Sequence, residues 1–366
     1  MNRILYLAGL LLLLSCSQHR EQNHDERKLS FSYELDTLRV DSQNHLFNLA
    51  HNLPMVKLSP DGRYLYFFDD YNYALDKVDM ISMKYDLSVP LEKEGPKGVG
   101  NSFDFAPKDD GTIQLLTEKA LIKIDGSGNL LNASPVLSSI FDVEKEKQFF
   151  RYAKISSDQR FLFGLTSSIK QEQYLGWIDL VDSLYHEVLP DSMRYRENLK
   201  VDLGRLSLSG MFEPEYLNNR IVLYHDDGID FYTLDPASRT WVFHDFSPGL
   251  IEKRKAGNYP NKGSMEDLPK ILEMEKLEIN YRRLVYDSKN KRYYRIASKR
   301  RENQTRGTVP NQYLLVFSED FKLIHEEDMS DLPISLHCYF VREGKFWIRN
   351  QETEELEFLV FEFSLN

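Results

Sequence analysis

The sequence predicts an all-β chain folded as a six-bladed β-propeller with four-stranded blades. Three observations predict it. The chain holds 22 Phe, 21 Tyr and 3 Trp, and aromatic side chains favour the half-buried surface of a pleated sheet. Short apolar or alternating runs are separated throughout by Gly, Pro, Asn and Asp, as in all-β folds. A strand–turn–strand unit recurs loosely along the chain, which is the mark of a repeat architecture.

The first unit is 56–67, where Ser59-Pro60-Asp61-Gly62 supplies turn residues between two apolar runs. The form returns at 103–116, 153–163, 212–223, 284–296 and 339–348, with turns at Asp110, Asp158, Asn218, Lys289 and Glu343. Most copies are followed by a second hairpin-like pair, such as 120–131, 229–236 and 313–324. Two hairpins make a four-stranded blade, and six units make a six-bladed ring. An irregular β-sandwich is the alternative fold. The strand-like 29–40 precedes the first unit and is placed to pair near the C-terminus, which would close the ring and hide its edges.

The widest interval, between the fourth and fifth blades, contains 246–279, a loop and helix insertion. Lys253-Arg254-Lys255, Gly257 and Pro260-Asn261-Lys262-Gly263 read as loop. Asp267 is placed to cap a short helix carrying Leu268, Ile271 and Leu272 on one face, with Pro269 tolerated in its first turn. The insertion is either a flap over one face of the ring or a solvated excursion.

Ahead of the strands, residues 1–15 have the form of a secretory signal: Arg3, an apolar run from Ile4 to Leu14, then Ser15. The run is too short for a helix that needs about 20 apolar residues to cross a bilayer. It stops at Cys16, and Leu13-Leu14-Ser15-Cys16 resembles the lipobox of bacterial lipoproteins, in which that Cys is lipidated after cleavage. An uncleaved N-terminal anchor is the alternative. Residues 16–30 are polar and aperiodic and read as a flexible tether, leaving 31–366 as the propeller domain. With Cys16 lipidated, Cys338 has no intrachain partner and reads as a buried, inert thiol.

The formal net charge of −11 argues against nucleic acid, which needs clustered Lys and Arg, and against a polybasic grip on a membrane. Membrane contact is expected through the lipid alone, each buried CH₂ adding about 0.8 kcal/mol.

Catalytic signatures are largely missing. The sequence has no Gly-x-Ser-x-Gly elbow, P-loop or dinucleotide fingerprint. His186-Glu187 and His325-Glu326-Glu327 lack the second His of a zinc helix. Asp125-Gly126-Ser127-Gly128-Asn129 starts like a calcium loop, but Leu130 and Val136 stand where Gly and Glu are needed, so a hairpin turn fits better. No metal or other cofactor is implied.

Two places could bind a ligand. The loop Glu94-Gly95-Pro96-Lys97-Gly98-Val99-Gly100-Asn101 joins two blades. Its glycines would let backbone N–H groups approach a ligand, with Lys97 facing an anion and Glu94 and Asn101 beside it. The second is Tyr224-His225-Asp226-Asp227-Gly228, where His225, Asp226 and Asp227 offer an imidazole and two carboxylates for metal or acid–base work. Ordinary turns explain both segments without a ligand.

The lipobox, the Tyr33-Glu34-Leu35-Asp36-Thr37 strand, the Leu58-Ser59-Pro60-Asp61-Gly62 hairpin and the 92–100 loop together resemble a group of Bacteroidetes lipoproteins catalogued as domain of unknown function 4221. The resemblance implies a propeller-like lipoprotein of the cell envelope, and it brings no activity and no catalytic residues. In such bacteria, Asp followed by Ser or Thr and then an apolar residue resembles an O-glycosylation acceptor, which marks Thr37, Ser183 and Ser192.

The expected function is non-enzymatic: a lipid-anchored propeller, at the outer membrane, that binds a protein or glycan partner. One alternative is a hydrolase or lyase acting on a saccharide or lactone, with residues from several blades meeting in the central channel. Another is a structural subunit of an outer-membrane complex. Fold alone does not decide among them.

Overall fold

The computed structural model describes residues 30–365, apart from 51, 52, 54, 96, 97, 118, 119, 136–146, 169–172, 211, 302–308 and 333–337. The signal, Cys16 and the tether therefore lie outside the described residues. No helix among the described residues is long and apolar enough to cross a membrane.

Six four-stranded antiparallel sheets form a ring. Blade 1 is β2 (Val56–Leu58), β3 (Tyr64–Asp69), β4 (Ala74–Asp79) and β5 (Lys84–Pro90). Blade 2 is β6 (Ser102–Pro107), β7 (Ile113–Thr117), β8 (Leu121–Ile124) and β9 (Leu130–Ser134). Blade 3 is β10 (Lys147–Ile155), β11 (Phe161–Ser168), β12 (Gln173–Asp179) and β13 (Leu184–Val188). A small hairpin of β14 (Val201–Asp202) and β15 (Ser207–Leu208) follows. Blade 4 is β16 (Phe212–Leu217), β17 (Arg220–His225), β18 (Phe231–Asp235) and β19 (Thr240–His244). Blade 5 is β20 (Asn280–Asp287), β21 (Arg292–Lys299), β22 (Asn311–Ser318) and β23 (Leu323–Asp328). Blade 6 is β24 (Tyr339–Arg342), β25 (Lys345–Arg349), β26 (Glu357–Leu365) and, as its outermost strand, β1 (Phe31–Arg39).

The six repeat units are the six inner hairpins. The turns of blades 1 and 3 share a local device. In blade 1, Asp61 Oδ1 accepts the Arg63 N–H at 3.0 Å while Ser59 Oγ accepts the Tyr64 N–H at 2.8 Å. Blade 3 repeats it with Asp158 and Arg160 at 3.0 Å and Ser156 and Phe161 at 2.8 Å. Such side-chain-to-backbone bonds fix a turn before any packing does. Gly62 sits at φ +69°, where a side chain would be strained.

β1 pairs with β26 along its whole length, from Phe31 opposite Leu365 to Arg39 opposite Glu357. An N-terminal strand thus closes the ring, as its place ahead of the first unit predicts. Apolar cores fill the seams between blades. Leu65, Phe67 and Val78 of blade 1 meet Phe340, Trp347 and Phe358 of blade 6. Arg342 also donates to the Gly62 carbonyl across that seam, at 2.7 Å.

Antiparallel order divides the connections between two faces. One carries the short turns 59–63, 108–112, 156–160, 218–219, 288–291 and 343–344. The other carries the blade-to-blade connections among the described residues, chiefly those within 40–55, 91–101, 189–211 and 245–279.

The insertion is a docked element rather than a solvated excursion. Its helix α1 (Leu268–Glu275) buries Ile271 against Val201 and Leu203. Pro269 lies in the first turn, as expected, but Asp267 makes no side-chain cap. Its carboxylate accepts instead from Ser264 N–H at 2.8 Å and Ser264 Oγ at 2.9 Å.

Candidate functional site

Two polar assemblies occupy the centre of the ring and the underside of the insertion. The first lies on the axis. An inner propeller strand turns alternate residues toward the channel, and five of these strands place a charge there: Lys57 on β2, Asp104 on β6, Lys154 on β10, Glu215 on β16 and Arg283 on β20. Lys57 Nζ lies 3.2 Å from Asp104 Oδ1. Asp104 Oδ2 also accepts the Ile155 N–H, at 2.9 Å. Lys154 pairs directly with Glu215. Blade 6 contributes Tyr339, whose hydroxyl donates to the Arg283 carbonyl at 2.6 Å while Arg283 Nη2 donates to the Tyr339 carbonyl.

Charges from opposite sides of the ring act on one another here. Burial opposes the ionised form of Glu215, but Lys154, Lys57 and Arg283 outweigh it and hold the carboxyl at about 2. Burial likewise opposes the charge on Lys57, yet Asp104 and Glu215 raise its pKa overall. Glu213 accepts from the Tyr224 hydroxyl at 3.1 Å.

The second assembly contains His225, Asp226 and Asp227. They form the end of β17 and the turn into β18, as the turn reading has it, and among the described residues no group of His, Cys, Asp and Glu is placed to hold a metal ion. His225 is fully buried and Asp227 nearly so. His225 Nδ1 accepts the Asp227 N–H at 3.1 Å, which places the ring proton on Nε2, 2.9 Å from Tyr195 Oη. Tyr195 then donates to Asp230 Oδ1 at 3.0 Å. Burial drives His225 down to about 4 despite Asp230. Asp230 is held at about 2, burial being overcome by His225 and Arg254.

Asp227 receives Arg196 Nε at 2.9 Å and Lys255 Nζ at 3.1 Å. Lys255 also reaches Glu275 at 3.0 Å and Asp226 at 3.6 Å. Arg254 makes two hydrogen bonds to Asp230, each 3.2 Å. Asp226 is the exception: burial and Asp227 raise its pKa, and its Oδ1 is buried without a hydrogen bond. Sequence reasoning located His225, Asp226 and Asp227. It missed Tyr195, Arg196, Asp230, Arg254, Lys255 and Glu275, which the 3-10 helix Asp191–Leu199, the β17–β18 turn and the insertion bring in.

The glycine-rich loop stands elsewhere, between blades 1 and 2. Glu94 and Asn101 are exposed on it, and Lys97 lies outside the described residues. Several of its N–H groups serve the loop itself: Gly98 donates to Gly95 O at 3.0 Å, Val99 to Glu92 O at 2.7 Å and Gly100 to Lys93 O at 3.1 Å. Those amides are engaged rather than open to an anion. The calcium-like segment is a hairpin turn in which Asp125 accepts the Ser127 and Asn129 N–H groups at 2.9 and 2.8 Å. Thr37 on β1, Ser183 in the β12–β13 turn and Ser192 at the start of the 3-10 helix are all exposed. Cys338 is free and buried, and burial pushes its thiol pKa up.

This ring, with charge at its axis and long connections on one face, defines a β-propeller of the six-bladed class. The chain belongs to the family described as domain of unknown function (DUF4221), whose profile matches residues 28–328. The fold is similar to that of a crystal structure of a DUF4221 member from Bacteroides vulgatus, with 15% identity, a TM-score of 0.63, and coverage of 93% of this chain and 99% of the other. It is also similar to a Bacteroides fragilis protein described as exported, with 9% identity, a TM-score of 0.52, and coverage of 91% and 95%. No curated protein matches the chain.

Proposed function

We propose that this chain is a lipid-anchored envelope propeller that binds a protein or glycan partner through its loop-bearing face, without catalysis. The observation that carries the reading is the asymmetry of the ring. Among the described residues one face has only short turns, while the blade-to-blade connections open on the other. Loops held by a rigid scaffold are the usual place for recognition. The Cys16 lipobox supports anchoring, and the exported Bacteroides relative of the same fold agrees with an envelope address, with the outer membrane as the expected layer.

The hydrolase or lyase reading has one observation in its favour, since carboxylates from several blades do meet on the axis. Their chemistry fits binding better. A general acid needs a raised pKa, whereas Glu215 is held low and Asp104 is taken by Lys57 and a backbone N–H.

The test is capture from detergent-solubilised envelopes with the tagged chain, beside turnover assays on a glycan panel. A partner should be recovered by the wild type, lost with E94A/N101A, and retained with D110A on the opposite face. Turnover of a glycan without a captured partner would overturn the reading. Cys16→Ser should release the protein from the membrane fraction, and protease access on whole cells would report which way the ring faces.

A further inference from the structure

We propose that the ring axis is a binding site for a small oxyanion, a carboxylate or phosphate group, held by the Arg283 guanidinium with Lys57 and Lys154 beside it. Arg283 is the cation left over at the axis. Lys57 is paired with Asp104 and Lys154 with Glu215. Among the described residues Arg283 has no carboxylate in contact. Its Nη2 donates to the Tyr339 carbonyl, and its Nε is buried with no hydrogen-bond partner. An unsatisfied buried donor is unusual in a native fold and calls for an explanation. A guanidinium fork with free donors matches the two oxygens of a carboxylate or phosphate.

The surroundings fit. Arg283 as a whole is half-buried, while its Nε is enclosed. Tyr339 packs its ring 5.3 Å from the guanidinium carbon and receives and returns a hydrogen bond, which fixes the side chain in place. Lys154 pairs with Glu215 directly, and Lys57 and Arg283 act on the charge of that same carboxylate. Glu215 and Glu213 oppose an incoming anion and would set a modest affinity for a singly charged group. This inference is separate from the partner reading, whose test is read at Glu94 and Asn101. Failure of one leaves the other standing.

The test is calorimetric titration of the full chain in detergent, at low salt, with inorganic phosphate in one arm and galacturonate or acetate in the other. Binding in either arm supports the site and names the anion class. Arg283→Gln should weaken it by about tenfold or more, and Arg283→Lys should restore part of it, because the charge stays and the fork is lost. Glu215→Gln should tighten it, a gain that a purely structural role for Glu215 would not produce. Should Arg283→Gln fail to fold, Lys57→Gln carries the test and should also weaken binding. The proposal is overturned if neither anion binds the wild type at tens of millimolar, or if binding survives Arg283→Gln unchanged.

Discussion

Lys255 Nζ lies 3.1 Å from Asp227 Oδ1, with both side chains out of contact with solvent. The pair joins the insertion to blade 4, and the Lys255 N–H adds a bond to the Asp227 carbonyl at 2.8 Å. Removing one partner of a buried ion pair leaves an uncompensated charge. Lys255→Met should therefore cost about 3–5 kcal/mol in urea unfolding. Asp227 would still hold Arg196, so Asp227→Asn in the same chain should recover only part of the loss. A single change that leaves stability untouched would show that the clamp does not hold the insertion.

Gly210 is the nearest steric test of the same clamp. A Cβ there would sit 2.1 Å from Asp227 Oδ2, inside any tolerable contact. Gly210→Ala should displace the Asp227 carboxylate and lower stability by about 1–3 kcal/mol. Thermal unfolding compared with an exposed-surface alanine variant checks it.

Stability should fall with acid in two windows. His225 is neutral in the fold at about 4 but titrates near 6.5 when unfolded. The unfolded chain then binds more protons between those values, so stability is full above pH 6.5 and declines toward pH 4. Glu215 is held at about 2 against an ordinary 4.5, so its contribution is full above pH 4.5 and is lost as pH falls toward 2. Urea midpoints measured from pH 7 to 3 should show both declines. Glu215→Gln should flatten the lower one, and His225→Asn the upper.

Ring closure gives a larger effect. A chain beginning at Val40 lacks β1 and exposes β26 as an unpaired edge. Its midpoint should drop by about 10 °C or more, and it should associate on size-exclusion chromatography. An unchanged, monomeric product would mean that the remaining strands close the ring by themselves.

Cys338 offers a thiol count. In a Cys16→Ser chain, a thiol reagent should find no reactive group in the native state and one after unfolding in urea. Rapid native labelling would place the thiol at the surface.

The blades were legible because each inner hairpin carries its own instructions. Ser59, Asp61 and Gly62 form a turn by local hydrogen bonds and φ preference, and Ser156 and Asp158 do so again. Closure by β1 was legible because a strand-like run ahead of the first unit needs a partner near the C-terminus to hide the sheet edges. The axial set was not. Lys57, Asp104, Lys154, Glu215 and Arg283 look in sequence like the polar half of ordinary amphipathic strands, and only ring geometry turns that half inward. The clamp on blade 4 was half legible. His225, Asp226 and Asp227 adjoin one another, but Arg196 and Lys255 lie on separate connections that no local rule links to them.

The pairing of Phe31 with Leu365 has a consequence for orientation. The start of β1 and the end of β26 meet at the end of blade 6 that also carries the Glu343-Gly344 turn, the face of short hairpins. Any leash attached ahead of Phe31 departs from that side. A ring moored through it, as proposed above, would keep its long loops on the face opposite the leash. The polarity of a single closing strand thus keeps the point of departure off the face that carries the long loops.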